Sequence, residues 1–408
     1  MYKCDIAELN KNINKNDGAE KELKKLGIYV HIPFCKSKCY YCDFNSYPSM
    51  EGLIPEYFEA LKKEICLYEG LGVGHFENRE SCKYEITSIF FGGGTPSLPD
   101  AGYICGIIEE LFKRFCISEN VEITIEANPG TLTLEKLKKY KRAGVNRLSI
   151  GLQAWQNRLL ESMGRIHTAR DFIVNLNHAR EVGFDNINVD LIFGLPGQSM
   201  RDWEITLDRV MAENVEHISC YDLKIEEGTV LRKKIEDGEI QEIEDELDRD
   251  MYHYAVKEIR NRGYIHYEIS NFSKAGYESR HNMIYWKGQE YIGLGAGAHS
   301  YFDGKRYHNV EKPVEYVHKF STNENTWQDI QEISQKDQIT EYLILGLRLT
   351  GGISLIDFKA RFGIELLELY GDRINTLMKR GLLCRSGERL RLTDLGLDLA
   401  NQVFVEFI

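Results

Sequence analysis

The chain has 408 residues, 43% of them hydrophobic, and a formal net charge of −12 at pH 7. This length suffices for one large domain and a smaller one, and the composition is that of a globular protein with a full core. The acidic balance argues against a general nucleic-acid binder, because contacts with phosphates need Lys and Arg.

The amino-terminal segment and the cysteine usage favour a cytoplasmic protein. Residues 1–25 are polar and rich in Lys and Glu, which predicts a leader without the apolar core of a signal peptide. No apolar run approaches the ~20 residues of a membrane span, so we expect membrane contact to be at most peripheral. In a reducing cytosol, the scattered cysteines are expected to stay free thiols.

Strand and helix patterns alternate between residues 26 and 225. The predicted strands are Gly27–Ile32, Glu85–Phe91, Val121–Ile125, Asn146–Leu152, Asn186–Phe193 and Ile218–Ile225. The predicted helices are Ile54–Glu69, Ile107–Phe115, Thr133–Ala143, Ala169–Val182 and Arg201–Met211. Six strands in alternation with helices predict parallel strands with right-handed crossovers. The fold class is therefore α/β, as a barrel or partial (β/α)6 barrel.

The remainder of the chain predicts two further parts. Residues 226–330 form an extension with a helix at Leu247–Arg262 and an irregular segment, rich in Gly and aromatic residues, at Tyr264–Arg306. Residues 331–408 predict a small, mostly helical, winged-helix-like domain. Its predicted elements are the helices Thr340–Leu349, Leu355–Phe362 and Ile364–Arg380, a hairpin at Gly381–Leu392 and a final helix from Thr393. Without a basic surface, we expect this domain to pack on the barrel or cover it rather than bind DNA.

Polar features lie late in each predicted barrel strand or directly after it, at the end where such folds place their chemistry. They are Cys35, the glycines 92–94, Glu126, Gln153, Asp190 and Lys224. Taken singly, each is explained equally well by a salt bridge at the rim or a strand cap. Together on one rim, they favour contact with a ligand.

Three cysteines stand close together in the pattern Cys35-x3-Cys39-x2-Cys42. A [4Fe–4S] cluster normally takes four thiolates, so three leave one iron open to an outside ligand. Such an iron can bind the amino and carboxylate groups of S-adenosylmethionine (SAM). The alternatives are a zinc site, which usually takes four protein ligands, or chance clustering.

Several longer motifs resemble those of one family. They are Tyr29–Cys35, Phe91–Ser97, Thr124–Pro129, Asn146–Gln153, Asn188–Gln198, Tyr264–Phe272 and His281–Trp286. In order and spacing they resemble the oxygen-independent coproporphyrinogen oxidase family of radical-SAM proteins, over about residues 27–400. The resemblance implies a radical-SAM partial barrel.

The resemblance also implies a role for each matching residue. Cys35, Cys39 and Cys42 would hold the cluster, and Tyr29 and Tyr41 would flank the methionine moiety and the adenine of SAM. The backbone at Gly93, Gly94 and Thr95 would approach the amino-acid end of SAM. Glu126 would meet its ribose or ammonium. The residues implied to line a second SAM or substrate site are Gln153, Arg165, Asp190 and Lys224.

Two departures separate this chain from the coproporphyrinogen enzyme itself. That enzyme carries a fourth cysteine two positions after the third, where this chain has Phe44, and a longer segment before the cluster. Both match the HemW-like, haem-chaperone branch of the family, as does the motif H-N-x-x-Y-W at His281–Trp286. Coproporphyrinogen decarboxylation and another radical reaction on a tetrapyrrole remain the alternatives, so enzymatic activity is left open.

The residues around this motif give a separate argument for haem. An imidazole such as that of His281 is a common axial ligand of haem iron. Tyr285 and Trp286 offer flat apolar surface, and Arg280 and Lys287 could pair with propionates. The alternative is a loop with an anchoring Trp and a hydrogen-bonded His. His299 is a second candidate ligand, more simply explained as structural.

The expected ligands and partners follow from this interpretation. The cofactors would be a [4Fe–4S] cluster, SAM and haem. The partners would be a client haemoprotein and a low-potential electron donor, either a ferredoxin or a flavodoxin.

Overall fold

The computed structural model describes residues 23–68 and 82–408. The leader predicted at 1–25 therefore lies almost wholly outside the described residues. The strands before the extension are β1 (Lys24–Ile32), β2 (Phe34–Cys35), β3 (Tyr47–Pro48), β4 (Tyr84–Gly93), β5 (Ile117–Ala127), β6 (Arg147–Gln153), β7 (Ile187–Phe193) and β8 (His217–Asp222). Those that follow are β9 (Ile265–Glu268), β10 (Asn271–Ser273), β11 (Tyr291–Leu294), β12 (His299–Phe302), β13 (Lys305–Asn309), β14 (Trp327–Glu332), β15 (Ile353–Ser354), β16 (Leu383–Ser386) and β17 (Arg389–Leu392).

The predicted α/β fold is confirmed. β1, β4, β5, β6, β7 and β8 lie side by side in that order, and each neighbouring pair is parallel. The two outer strands do not pair with each other. Instead, β1 pairs with β11 at its free edge, and β8 pairs with β10. The six strands thus form a partial barrel that is extended at both edges.

Helices cross between the parallel strands at the five predicted places, and a short helix at Asn157–Ser162, which was not predicted, adds a sixth. They are Ile54–Tyr68, Ala101–Arg114, Leu134–Arg142, Asn157–Ser162, Ala169–Val182 and Met200–Ala212. Local sequence sets their ends: Thr168 and Asp171 form a capping box, and Gly183 follows the helix with φ of 92°. The prediction of the sixth strand was too long, because β8 ends at Asp222 rather than Ile225.

The extension is more ordered than its composition predicts. Helices lie at Val230–Glu236, Asp245–Asn261, Arg280–Trp286 and Pro313–Thr322. The prediction of an irregular segment at Tyr264–Arg306 is wrong, because this segment contains β9 to β12, the start of β13 and the helix Arg280–Trp286. These strands are too short to show a period. They form because β11 pairs with the distant β1, and β12, β13 and β14 add to it in turn.

The carboxy-terminal part has its own apolar core, separate from that of the barrel. Its helices are Gln335–Gly346, Leu355–Phe362, Leu366–Lys379, Asp394–Asp398 and Ala400–Val405. The predicted hairpin is present as β16 and β17, and β15 adds a third strand to it. The final helix, expected as one element from Thr393, is divided in two at Leu399.

One cysteine pair contradicts the expectation of free thiols. Cys82 and Cys116 form a disulfide that joins the chain just before β4 to the chain just before β5. Both residues are buried, at the end of the barrel away from the cysteine motif. Within residues 23–68 and 82–408, no helix is both long and apolar enough to cross a membrane.

Candidate functional site

The cysteine motif lies on a loop at the carboxyl end of β1. The short strands β2 and β3 pair in parallel and bring the two ends of this loop together. The Lys38 ammonium donates hydrogen bonds to the carbonyls of Phe44 at 3.1 Å and Ser46 at 3.3 Å, so the loop wraps around the Lys38 side chain. These backbone contacts fix the path of the chain through the three cysteines.

The glycine-rich segment before β12, which includes Gly297, packs against the cysteine loop and supports it. His31 Nε2 lies 2.7 Å from the carbonyl of Asn45, whose amide donates to the carbonyl of Ala296 at 3.0 Å. A Cβ at Gly297 would lie 2.3 Å from that Asn45 amide, so glycine is required there. Burial lowers the pKa of His31 to about 4, so the ring supports the loop as a neutral imidazole.

All three cysteines of the motif line one cavity of about 410 Å³ at the carboxyl ends of the barrel strands. Burial raises the pKa of Cys35 and that of Cys42. Cys35 Sγ lies 3.5 Å from Thr95 Oγ1, and Cys39 Sγ accepts a hydrogen bond of 3.5 Å from Arg165. The guanidinium of Arg165 thus lies directly beside one thiol of the motif.

This donor set fits an iron–sulfur cluster better than a single metal ion. Within the described part of the chain, no three His, Cys, Asp or Glu side chains converge closely enough to hold one metal ion. A cluster binds each thiolate to a different iron, so its cysteines stand further apart. Space is kept beside the thiols, because a Cβ at Gly94 would lie 3.0 Å from Cys35 Sγ and 2.9 Å from the backbone.

Two carboxylates, one on β5 and one on β7, face the cavity beside the glycines, on either side of β6. Glu126 Oε2 accepts a hydrogen bond of 3.2 Å from the backbone amide of Gly93. Burial, and then the charge of Asp190, raises the pKa of Glu126 to about 8. Asp190 is held by Ser149 Oγ and by the Asn188 amide, each at 2.8 Å. Near neutral pH Glu126 therefore carries a proton, which a cationic ligand beside it would displace.

Two buried polar atoms at this cavity lack partners. Gln153 Oε1 and Arg165 Nε make no hydrogen bond. Gln153 also has φ of 69°, a conformation that costs energy in a residue other than glycine. Unsatisfied buried groups and backbone strain of this kind concentrate at ligand sites. The remaining hydrogen bonds of Arg165, to Gly151 O at 2.9 Å and Asn128 Oδ1 at 3.1 Å, hold its guanidinium in place.

The structure brings together twelve of the sixteen residues singled out from the sequence. The cavity is lined by Cys35, Cys39, Tyr41, Cys42, Gly93, Gly94, Thr95, Glu126, Gln153, Arg165, Asp190 and Lys224. Lys224 lies at its mouth, largely exposed and paired with Asp222. Asn128 was missed as an individual site residue, although its motif was noted. It lines the cavity and donates to Thr95 Oγ1 at 3.0 Å.

The other four residues lie elsewhere. Tyr29 is half-buried and does not line the cavity; its hydroxyl lies 3.1 Å from His31 Nδ1 and its ring is stacked on Phe90. His281, Tyr285 and Trp286 belong to the helix Arg280–Trp286, which packs on β1 and β4 towards the opposite end of the barrel. His299, the second candidate haem ligand, is not one of these sixteen residues; it is exposed on β12 and stacks on His308.

The helix that carries the H-N-x-x-Y-W motif is anchored inside the barrel. Both ring nitrogens of His281 have partners, Ser88 Oγ at 2.8 Å and the Tyr285 hydroxyl at 2.8 Å. Burial, and then the nearby Arg147, lowers the pKa of His281 to about 3, so its imidazole is neutral. The Glu122 carboxylate accepts hydrogen bonds of 3.2 Å from the backbone amides of the helix start. A carboxylate at that end is favourable to the helix.

Comparison with known proteins agrees with this geometry. Residues 29–210 match the model of the radical SAM superfamily, and residues 333–399 match that of the HemN C-terminal domain. The solved structure of coproporphyrinogen III oxidase (HemN) from Escherichia coli superposes with a TM-score of 0.81. It covers 95% of this chain and 91% of its own, at 22% identity, which supports the fold. Fold and site thus define a protein of the radical SAM class, whose members use a [4Fe–4S] cluster and SAM.

Curated relatives place the chain more narrowly. The heme chaperone HemW of Bacillus subtilis is 36% identical over 93% of this chain and 98% of its own length. That of Lactococcus lactis is 34% identical over 94% of this chain and 98% of its own length. The chain therefore belongs to the HemW family within the radical SAM superfamily.

Proposed function

We propose that this protein is a haem chaperone that binds haem and delivers it to client haemoproteins. The observation that carries the proposal is Phe44, which stands where the coproporphyrinogen enzyme has a fourth cysteine. Its side chain is 61% exposed at the rim of the cysteine cavity and offers no thiol there. The names of the relatives, heme chaperone HemW, support the same function.

The cysteine cavity is assigned to the cluster and SAM. Cys35, Cys39 and Cys42 would hold a [4Fe–4S] cluster, to be reduced by a ferredoxin or flavodoxin. When bound, the cluster supplies the electron for reductive cleavage of the S–C5′ bond of SAM. Gly93 and Gly94 leave room for the backbone to approach the amino-acid end of SAM.

The remaining polar residues of the cavity would orient SAM. Glu126, once deprotonated, pairs with the ammonium or receives the ribose. Gln153 Oε1 and Arg165 Nε gain the partners that they lack. Asp190, Tyr41 and Lys224 complete the wall and the mouth.

The role of the H-N-x-x-Y-W motif in haem binding is part of the proposal. Ligation of haem iron by His281 requires the ring to leave Ser88 and Tyr285 and the helix Arg280–Trp286 to move outward. Tyr285 and Trp286 would then be exposed as apolar surface for the macrocycle. In the conformation described, His281 instead anchors the helix.

Transfer of haem to an apo-haemoprotein tests the proposal. The cluster-reconstituted chain, loaded with haem under anaerobic conditions, is mixed with an apo-haemoprotein, and the spectrum of the acceptor is followed. We expect faster transfer than from free haem or from haem-loaded albumin. A rate no higher than these controls would overturn the chaperone function, as would conversion of coproporphyrinogen III to a decarboxylated product.

A further inference from the structure

The helix Ile54–Tyr68 carries a buried carboxylate that does not line the cysteine cavity. Glu64 lies on this helix with an exposed fraction of 0%. Tyr57, seven residues earlier, is also fully buried, and residues at this spacing lie on the same side of a helix. An ionisable side chain is rarely buried in this way without partners. The partners of Glu64 therefore show what it holds.

The Glu64 carboxylate accepts three hydrogen bonds from the glycine-rich segment and its neighbours. The donors are the backbone amide of Gly295 at 2.7 Å, the side-chain amide of Asn309 at 2.6 Å and the hydroxyl of Tyr316 at 2.5 Å. Asn309 also donates to the carbonyl of Gly295 at 2.9 Å. Burial raises the pKa of Glu64 to about 7, and the three donors oppose this shift. Glu64 and Asn309 thus hold both polar backbone groups of Gly295.

Tyr57 holds the next residue of the same segment. Its hydroxyl accepts a hydrogen bond of 2.9 Å from the backbone amide of Ala296. The same hydroxyl donates to the carbonyl of His31, also at 2.9 Å. One side chain of the helix Ile54–Tyr68 therefore joins the glycine-rich segment to the end of β1.

Both ends of the cysteine loop rest on this arrangement. His31 precedes the first cysteine of the motif by four residues, and its carbonyl meets Tyr57. Asn45 follows the third cysteine by three residues, and its side-chain amide donates to the carbonyl of Ala296 at 3.0 Å. The carbonyl of Asn45 lies 2.7 Å from His31 Nε2, which joins the two ends. Through these contacts, the position of the loop depends on Glu64 and Tyr57.

We propose that Glu64 and Tyr57 are positioning residues that hold the cysteine loop in the geometry that binds the cluster and excludes water from it. Glu64 acts through Gly295, and Tyr57 acts through His31 and Ala296. The proposal rests on the assignment of a [4Fe–4S] cluster to the three cysteines and extends it to a helix outside the cavity. Residues that support metal ligands in this way influence how firmly the metal is held.

Replacing Glu64 with Gln breaks this support without a change of size. A carboxylate only accepts hydrogen bonds, whereas an amide has one accepting atom and one donating group. Whichever way the Gln amide is turned, its NH2 group faces a donor, either at Gly295 or at Asn309. The glycine-rich segment then shifts, the loop loosens and water reaches the cluster. Water favours the reduced cluster, which carries one more negative charge, so its reduction potential rises.

The test compares two variants of the full, cluster-reconstituted chain with two controls. The variants are Glu64→Gln and Tyr57→Phe, of which the second leaves the buried carboxylate charge in place and so reports on geometry alone. Glu56→Gln makes the same charge change at an exposed position of the same helix. Leu207→Ala lowers global stability by a cavity in the core, on the helix between β7 and β8. Iron release to a chelator and the reduced fraction of the cluster at a fixed potential are measured.

We expect both variants to release iron about tenfold faster than the native chain, or more, at a temperature well below melting. The ratio of reduced to oxidised cluster at a fixed potential should rise about threefold or more. Glu56→Gln should match the native chain in both measurements. Leu207→Ala should melt at a lower temperature but keep the native potential and release iron less than about threefold faster.

Values for Glu64→Gln and Tyr57→Phe equal to those of Leu207→Ala would overturn the positioning role and leave the cluster and the proposed function intact. If Glu64→Gln does not fold, Tyr57→Phe decides in the same way. Failure of the native chain to take up a cluster would overturn the cluster assignment, and the positioning role with it.

Discussion

Replacing Glu126 with Gln should stabilise the protein at high pH and weaken its binding of SAM. The pKa of Glu126 is raised from 4.5 to about 8 by burial and by Asp190. A carboxyl whose pKa is raised in the folded state costs no stability below pH 4.5, where it is protonated in both the folded and the unfolded chain. Its cost grows as pH rises towards 8, because the unfolded chain ionises first. The amide cannot ionise and avoids this cost.

The size of the expected gain in stability follows from the pKa shift of Glu126. A difference of 8 − 4.5 = 3.5 pKa units, at 1.36 kcal/mol per unit, is about 5 kcal/mol above pH 8. In a domain of 150–250 residues, 1 kcal/mol moves the melting temperature by roughly 2–4 °C, and in a longer chain by less. We therefore expect the melting temperature of Glu126→Gln to be roughly 5–10 °C higher than that of the native chain at pH 9. At pH 5, Glu126→Gln and the native chain should melt within about 2 °C of each other.

The assay is thermal unfolding at pH 5, 7 and 9, with Glu135→Gln as the control at an exposed helix position. The native chain should also bind SAM more tightly as pH rises from 6 to 8, because a cation beside Glu126 releases its proton. Glu126→Gln should bind SAM weakly and without this pH dependence. An equal change of melting temperature at pH 5 and pH 9 would refute the reasoning, since it would mean that Glu126 is ionised throughout.

Three further variants test the cluster, its cation and the motif helix. Cys39→Ala should abolish the brown colour and the absorbance near about 400 nm that iron–sulfur charge transfer gives, whereas the exposed Cys66→Ala should keep both; an intact cluster in Cys39→Ala would mean that the ligands are misassigned. Arg165→Lys should leave the cluster in place but lower SAM affinity about tenfold or more, because an ammonium cannot replace the forked contacts of a guanidinium; unchanged affinity would place SAM elsewhere. His281→Ala should lower the free energy of unfolding by about 2–4 kcal/mol, because Ser88 and Tyr285 lose a buried partner; a haem spectrum that also changes would support the motif as an axial ligand, and unchanged stability would contradict its anchoring role.

The barrel and most of the cavity could be predicted because their signals are local. Each parallel strand is an apolar run, and the residues that follow it along the chain are also those that meet in space. Cys35, Glu126 and Asp190 were placed correctly in this way, since carboxyl ends of parallel strands share one edge. The helix ends at Thr168 and Gly183 could also be predicted from the local sequence.

The remainder depended on contacts between distant parts of the chain. β11 forms because it pairs with β1, more than 250 residues earlier, and its four residues carry no period of their own. The glycine run supports the cysteine loop through Asn45, a contact that neither segment indicates alone. Tyr29 lies next to the cysteines in the sequence, but its ring is directed into the barrel interior, where His31 and Phe90 hold it.

An anaerobic haem titration of the cluster-reconstituted chain, with coproporphyrinogen III, SAM and reductant assayed in parallel, tests the central claim most directly. The account predicts haem binding at micromolar concentration or tighter and no decarboxylated porphyrinogen. Turnover of coproporphyrinogen III, or failure to bind haem with the cluster intact, would contradict it.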